Sequence, residues 1–189
     1  MYITISVLMI FFIVLGTFDG LYFHLWKYKL HLLPAARREH SIHTARAFVF
    51  VPLSFFLFVY NSAGLLLWTA IGLLVVDAYL ELIDILEERK SRAPLGGITS
   101  EESAIHVFAS SFKFAAIILL LATKPESAYL SLTPYLIDEP LPLYLTYIGT
   151  TFAIGSLGGG IYSLFPNFKI RVCTSICPPK TINASQLAK

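Results

Sequence analysis

The sequence predicts an all-α integral membrane protein, a bundle of about five transmembrane helices. Three observations carry that prediction. The 189 residues are 56% hydrophobic and only 14% charged, where an ordinary soluble domain has about a quarter of its residues charged. The apolar residues gather into five runs, each near the ~20 residues needed to cross the hydrocarbon core. Connectors carrying Pro, Gly and charge separate those runs. Fourteen Lys+Arg against twelve Asp+Glu give a net charge of +2, too balanced for a nucleic-acid surface.

The first span covers about residues 2–28. It opens Met1-Tyr-Ile-Thr-Ile with neither a basic leader nor a small-residue cleavage site, so it reads as a spanning helix and not as a cleaved signal. A basic connector leads to the second span, 36–60, with Pro34 at its entrance and Pro52 inside it, where a kink is expected. Asn61-Ser62 turns the chain into the third span, 63–90, and residues 91–97 form a loop. Thr99-Ser-Glu-Glu102 is a capping box opening the fourth span, 100–123. A polar, Pro-bearing connector precedes the fifth, 143–164, which Pro166 is expected to end. Gly155, Gly158, Gly159 and Gly160 in that span offer a surface for helix–helix association. Residues 1–168 thus make one bundle domain, and 169–189 a basic tail. Cys173 and Cys177 in the tail form a lone C-x₃-C pair, which reads as two reduced thiols.

Charge orients the bundle. The connectors after spans one and three, together with the tail, hold most of the Lys and Arg. By the positive-inside rule these segments are cytoplasmic and the N-terminus lies outside. The expected location is a bacterial inner (cytoplasmic) membrane.

The third span ends in Asp77-Ala-Tyr-Leu-Glu81-Leu-Ile-Asp84-Ile-Leu-Glu87-Glu88. Asp77, Glu81, Asp84 and Glu88 follow i, i+4, i+7, i+11 spacing and share one helix face. Ionisable groups at hydrocarbon depth are expensive and mark functional sites by default. All five histidines, His24, His31, His40, His43 and His106, fall at the cytoplasmic ends of spans one, two and four. Nine of the twelve acids join them there, Asp19, Glu39, Glu101 and Glu102 among them. His24 and His31 are seven apart, Glu39 and His43 four apart, and Glu102 and His106 four apart, so each pair shares a face on an α-helix.

Helix bundles build dinuclear iron or manganese sites from Glu and His projecting inward on facing helices, and mixed imidazole and carboxylate ligands suit those metals. The expectation is therefore an integral membrane metalloprotein near the cytoplasmic face. Its metal ligands are drawn from His24, His31, Glu39, His40, His43, Glu81, Asp84, Glu102 and His106. The cofactor is a transition metal, iron first, in one or two ions, with manganese or zinc as alternatives. Asp77 and Lys113 are the candidate catalytic pair, Lys113 sharing a face with His106 about 10 Å deeper. Tyr22, Trp26 and Tyr79, with Phe18 and Phe23 nearby, are expected to line a pocket for an apolar or lipid-like substrate, implying oxidoreductase chemistry. Glu87, Glu88, Arg89, Lys90 and Arg92 read as a solvated helix end, Glu102 doubles as a capping residue, and Asp19 is paired with Arg46 or bonded within the bundle. The competing readings are a metal-ion or proton-coupled transporter, a bis-histidine haem protein, and a structural membrane subunit.

Overall fold

A computed structural model describes residues 1–176, the side chains of His31 and of 166–176 excepted. Six α-helices dominate it: α1 Tyr2–Phe18, α2 Arg37–Ser54, α3 Leu65–Arg92, α4 Ser100–Ala122, the short α5 Ser127–Leu130, and α6 Leu143–Ile176. Helices α1 and α2 continue as wider-wound π segments, Asp19–Lys27 and Phe55–Val59. Five stretches are long and apolar enough to cross a membrane: Tyr2–Lys27, Pro34–Val59, Leu65–Leu95, Ser100–Ala122 and Leu143–Phe165. Among the described residues the only strands are β1, Ser62–Ala63, and β2, Tyr135–Leu136, paired antiparallel.

The first span ends at Lys27, as expected; the helix does not extend to His31, so His24 and His31 share no helix face, because Lys29 adopts a left-handed conformation (φ 48°) that breaks the winding. Two expected boundaries move. Residues 91–97 are mostly helical: α3 runs to Arg92 and tightens into a 3₁₀ turn at Ala93–Leu95 before Gly96 and Gly97 reverse the chain. The α6 backbone passes through Pro166 to Ile176, since one proline removes a single hydrogen bond and membrane helices absorb that loss. Cys173 therefore sits on helical backbone. Cys177 and the rest of the expected tail lie outside the described residues.

Helix α1 packs against α4 and α6, and α2 packs against α3 and α6. The interior divides along the bundle axis. One half is an apolar core of Ile5, Met9, Leu57, Leu67, Leu120 and Leu145. The other half, toward the α1–α2 and α3–α4 connections, holds the ionisable side chains. Phe12, Phe50 and Phe152 meet edge-to-face between the two, with ring centroids 5.2–5.9 Å apart.

Within the bundle, the glycine at which two helices approach closely is Gly149; the four predicted glycines make no such approach there. A Cβ on Gly149 would lie 2.5 Å from the Phe58 Cβ, and the Ser54 hydroxyl donates to the Gly149 carbonyl at 2.7 Å. Gly155, Gly158 and Gly159 have nothing within 4 Å of such a position, and Gly160 makes only ordinary contact with Ala47 and Phe48. The first three instead border a cleft.

At the apolar end of the bundle, Lys124 donates to the Asn61 side chain, whose amide donates in turn to the Glu139 carbonyl at 2.6 Å. Burial pushes the Lys124 ammonium down to about 8.

Two outcomes follow. Gly149→Ala lowers stability by about 1–3 kcal/mol, whereas Gly155→Ala leaves it within about 0.5 kcal/mol, as read from detergent-denaturation midpoints. Because Lys124 holds its proton less tightly folded than unfolded, stability rises with pH from about 8 toward 10.5. Lys124→Met flattens that rise.

Candidate metal centre

Local winding decides where the first ligands point. Asp19 and His24 are five residues apart, which on an α-helix leaves them about 140° out of line. The π segment Asp19–Lys27 bonds i to i+5, so the same five residues make roughly one turn. The result brings His24 Nε2 to 3.4 Å from Asp19 Oδ2. On α2, Glu39 and His43 stand one α-turn apart, with His43 Nε2 3.9 Å from Glu39 Oε1. His24 Nε2 is also 3.9 Å from Glu39 Oε1, and the two imidazoles meet edge-on with centroids 4.7 Å apart.

Helix α3 supplies the acidic wall. Asp77, Glu81, Asp84 and Glu88 are all buried, while Leu82, Ile85 and Leu86 on the opposite face are exposed. Asp84 Oδ2 lies 3.4 Å from His43 Nε2. Glu88 Oε1 lies 3.0 Å from His106 Nδ1, and the other nitrogen of His106 is 2.9 Å from Asp19 Oδ1. Two groups of potential ligand atoms, each mutually within 4.8 Å, emerge: His24, Glu39, His43 and Glu88, and Asp19, His24 and His106.

Three cations hold these carboxylates. Arg92, fully buried, donates Nε and Nη2 to Glu102 Oε1 at 2.9 and 2.6 Å and Nη1 to Glu39 Oε2 at 2.9 Å. The Ser91 hydroxyl also donates to Glu39 Oε2. With Oε2 fixed from two sides, Oε1 is turned toward His24 and His43. Arg46 spans the stripe, contacting Asp77 at 3.0 Å and Glu81 and Asp84 at 3.1 Å each. Lys113 closes the deep end, donating to Asp77 at 2.6 Å and to Glu81, which also accepts from Ser110.

Among the described residues, His24 Nε2, Glu39 Oε1 and His43 Nε2 are buried and make no hydrogen bond. A buried polar atom without a partner costs about 1–3 kcal/mol. Three of them facing one another is an arrangement that bound cations would relieve. A cleft of about 2100 Å³ opens onto these groups, walled by Phe12, Phe50, Phe108, Phe114, Phe152 and Tyr162.

The sequence-predicted residues sort accordingly. His24, Glu39, His43 and His106 converge, and Asp84 lies beside His43. Glu81 is engaged by Arg46, Lys113 and Ser110, and Glu102 by Arg92 through Oε1, its buried Oε2 being without a hydrogen bond; neither joins the ligand groups. The Thr99 hydroxyl does accept from the Glu102 backbone N–H at 3.3 Å, which is half of the capping box. Asp77 and Lys113 form an ion pair about 10 Å along α3 from Asp84. His40 lies apart, donating Nε2 to the Ser163 carbonyl at 3.1 Å. The His31 side chain is outside the described residues. Asp19 pairs with histidines, not with Arg46.

Trp26 and Tyr79 are exposed, and Tyr22 stacks on Phe18 at 5.0 Å, so none of the three walls the cleft. The residues that sequence reasoning missed are Glu88 and Arg92, given to a solvated end but buried. Glu88 carried its signal in the i+11 spacing of the stripe.

Arg92→Ala leaves Glu39 and Glu102 as unpaired buried charges and costs about 3–5 kcal/mol. A chemical-denaturation titration in detergent, run beside Arg89→Ala at an exposed position, reads that difference. Comparison with known proteins finds no matching family model, no matching curated protein and no matching solved structure.

Proposed function

We propose that the protein is an integral membrane metalloprotein whose His and carboxylate groups bind a transition metal for oxidoreductase chemistry on an apolar, lipid-like substrate. The observation that carries this reading is the convergence of His24 Nε2, Glu39 Oε1 and His43 Nε2, buried and without hydrogen bonds. Mixed nitrogen and oxygen ligands favour iron, with manganese and zinc next. The positive-inside rule favours the cytoplasmic side for the site, with the N-terminus outside, and a bacterial inner membrane is the location proposed.

The chain's own residues define what the site does. Arg92 and Ser91 orient Glu39 as a ligand through one oxygen, the kind of supporting contact that commonly tunes metal affinity. Asp84 stands beside His43 and is itself held by Arg46. The aromatic wall of the cleft excludes water and accepts an apolar chain next to the ligand groups. Bound iron would supply redox chemistry at that junction. A transport route would need polar groups along the whole axis, and the far half of the interior is mainly apolar, with no buried carboxylate among the described residues there.

Elemental analysis of protein purified in detergent, with an absorption spectrum of the same sample, tests this directly. At least one equivalent of transition metal is expected. Glu39→Gln combined with His43→Gln should weaken binding at those ligands at least about tenfold, so that at least one equivalent of the metal bound by wild type is lost, while the elution volume on size exclusion is unchanged. Protein that takes up no iron, manganese or zinc on reconstitution would overturn the metal reading.

A further inference from the structure

We infer that the centre is built for two metal ions, with Asp19, His24 and His106 holding one and Glu39, His43 and Glu88 the other. This rests on the proposed metal reading and fixes its stoichiometry and ligand allocation.

The two ligand groups overlap at His24, but one imidazole nitrogen serves one ion. His24 Nε2 is 3.4 Å from Asp19 and 3.9 Å from Glu39, so it falls to the Asp19 set. Each set then has three protein ligands. Asp19, His24 and His106 make two imidazoles and one carboxylate, the donor combination of non-haem iron centres that keep open positions. Glu39, His43 and Glu88 make one imidazole and two carboxylates. Glu88 also contacts His106 Nδ1 at 3.0 Å, which ties the two sets together.

Charge supports the same count. Eight carboxylates are buried in this half of the bundle; Glu87 pairs with the exposed Arg38 and Lys90, which leaves seven: Asp19, Glu39, Asp77, Glu81, Asp84, Glu88 and Glu102. They face three fixed cations, Arg46, Arg92 and Lys113. Neutral, metal-binding histidines add nothing, so four negative charges are left over. Two divalent ions balance them, where one would leave two uncompensated charges in a low-dielectric interior.

The four-helix origin of the ligands fits as well. The π segment after α1 gives Asp19 and His24, α2 gives Glu39 and His43, α3 gives Glu88, and α4 gives His106. Each ion draws on two of these elements, the π segment and α4 for one and α2 and α3 for the other.

The test is a titration of metal-stripped full-length protein in detergent with Co(II), read by its visible absorption and by bound metal after desalting. Wild-type protein should saturate at two equivalents. Asp19→Asn with His106→Gln should bind one, and adding Glu39→Gln with His43→Gln should remove that one. Size exclusion confirms that each variant remains folded. Saturation of wild type at one equivalent, or two equivalents retained in the Asp19/His106 variant, overturns the two-ion assignment and leaves the metal reading standing. No binding by wild type overturns both.

Discussion

Carboxylates buried in an apolar bundle must be compensated, and the ionisable half of this protein is arranged around that requirement. A single charge at the centre of a bilayer costs about 2.5–3.5 kcal/mol even on insertion scales, and α3 alone brings four acids to one face. Arg46 runs along three of them and Lys113 closes the deepest two. Arg92 turns inward from the end of α3 to meet Glu39 and Glu102 on two other helices. These contacts cross-link α2, α3 and α4, so the same ion pairs that neutralise the acids also set how the helices stand to one another.

What the cations leave over is as informative as what they cover. Asp77, Glu81 and one oxygen of Glu39 are fully engaged. Asp19, Glu88 and the other oxygen of Glu39 turn to histidines. Fixed cations thus hold the deep part of the cluster, and titratable imidazoles hold the part that opens onto the cleft. Neutral imidazole is a ligand and a guanidinium is not, so the division between arginine and histidine partners is also the division between scaffold and site.

Much of this was legible in residue order. The five spans follow from hydropathy, and the stripe from Asp77 to Glu88 follows from spacing on a single α-helix. The Glu39/His43 pair was visible for the same reason. What hid the rest was departure from α-winding and the reach of long side chains. Asp19 and His24 share a face only because the helix widens there, and no simple sequence pattern marks a π segment. Arg92 looked like one more charge at a basic helix end, and only the position of α4 shows that its guanidinium lies over Glu102. The glycine run at 158–160 drew attention away from Gly149, whose role depends on where Phe58 falls across the interface.

The division of the interior into two halves has one more consequence. A membrane keeps its electrochemical gradient only while no hydrated path crosses it, and a column of acids and imidazoles is the raw material of such a path. Here the column stops at Lys113. Beyond the Phe12, Phe50 and Phe152 rings, Ile5, Leu57, Leu120 and Leu145 form an apolar core. The buried acids therefore gather at one end of the bundle and do not run through it, an arrangement that would let charge be concentrated on one side of a membrane.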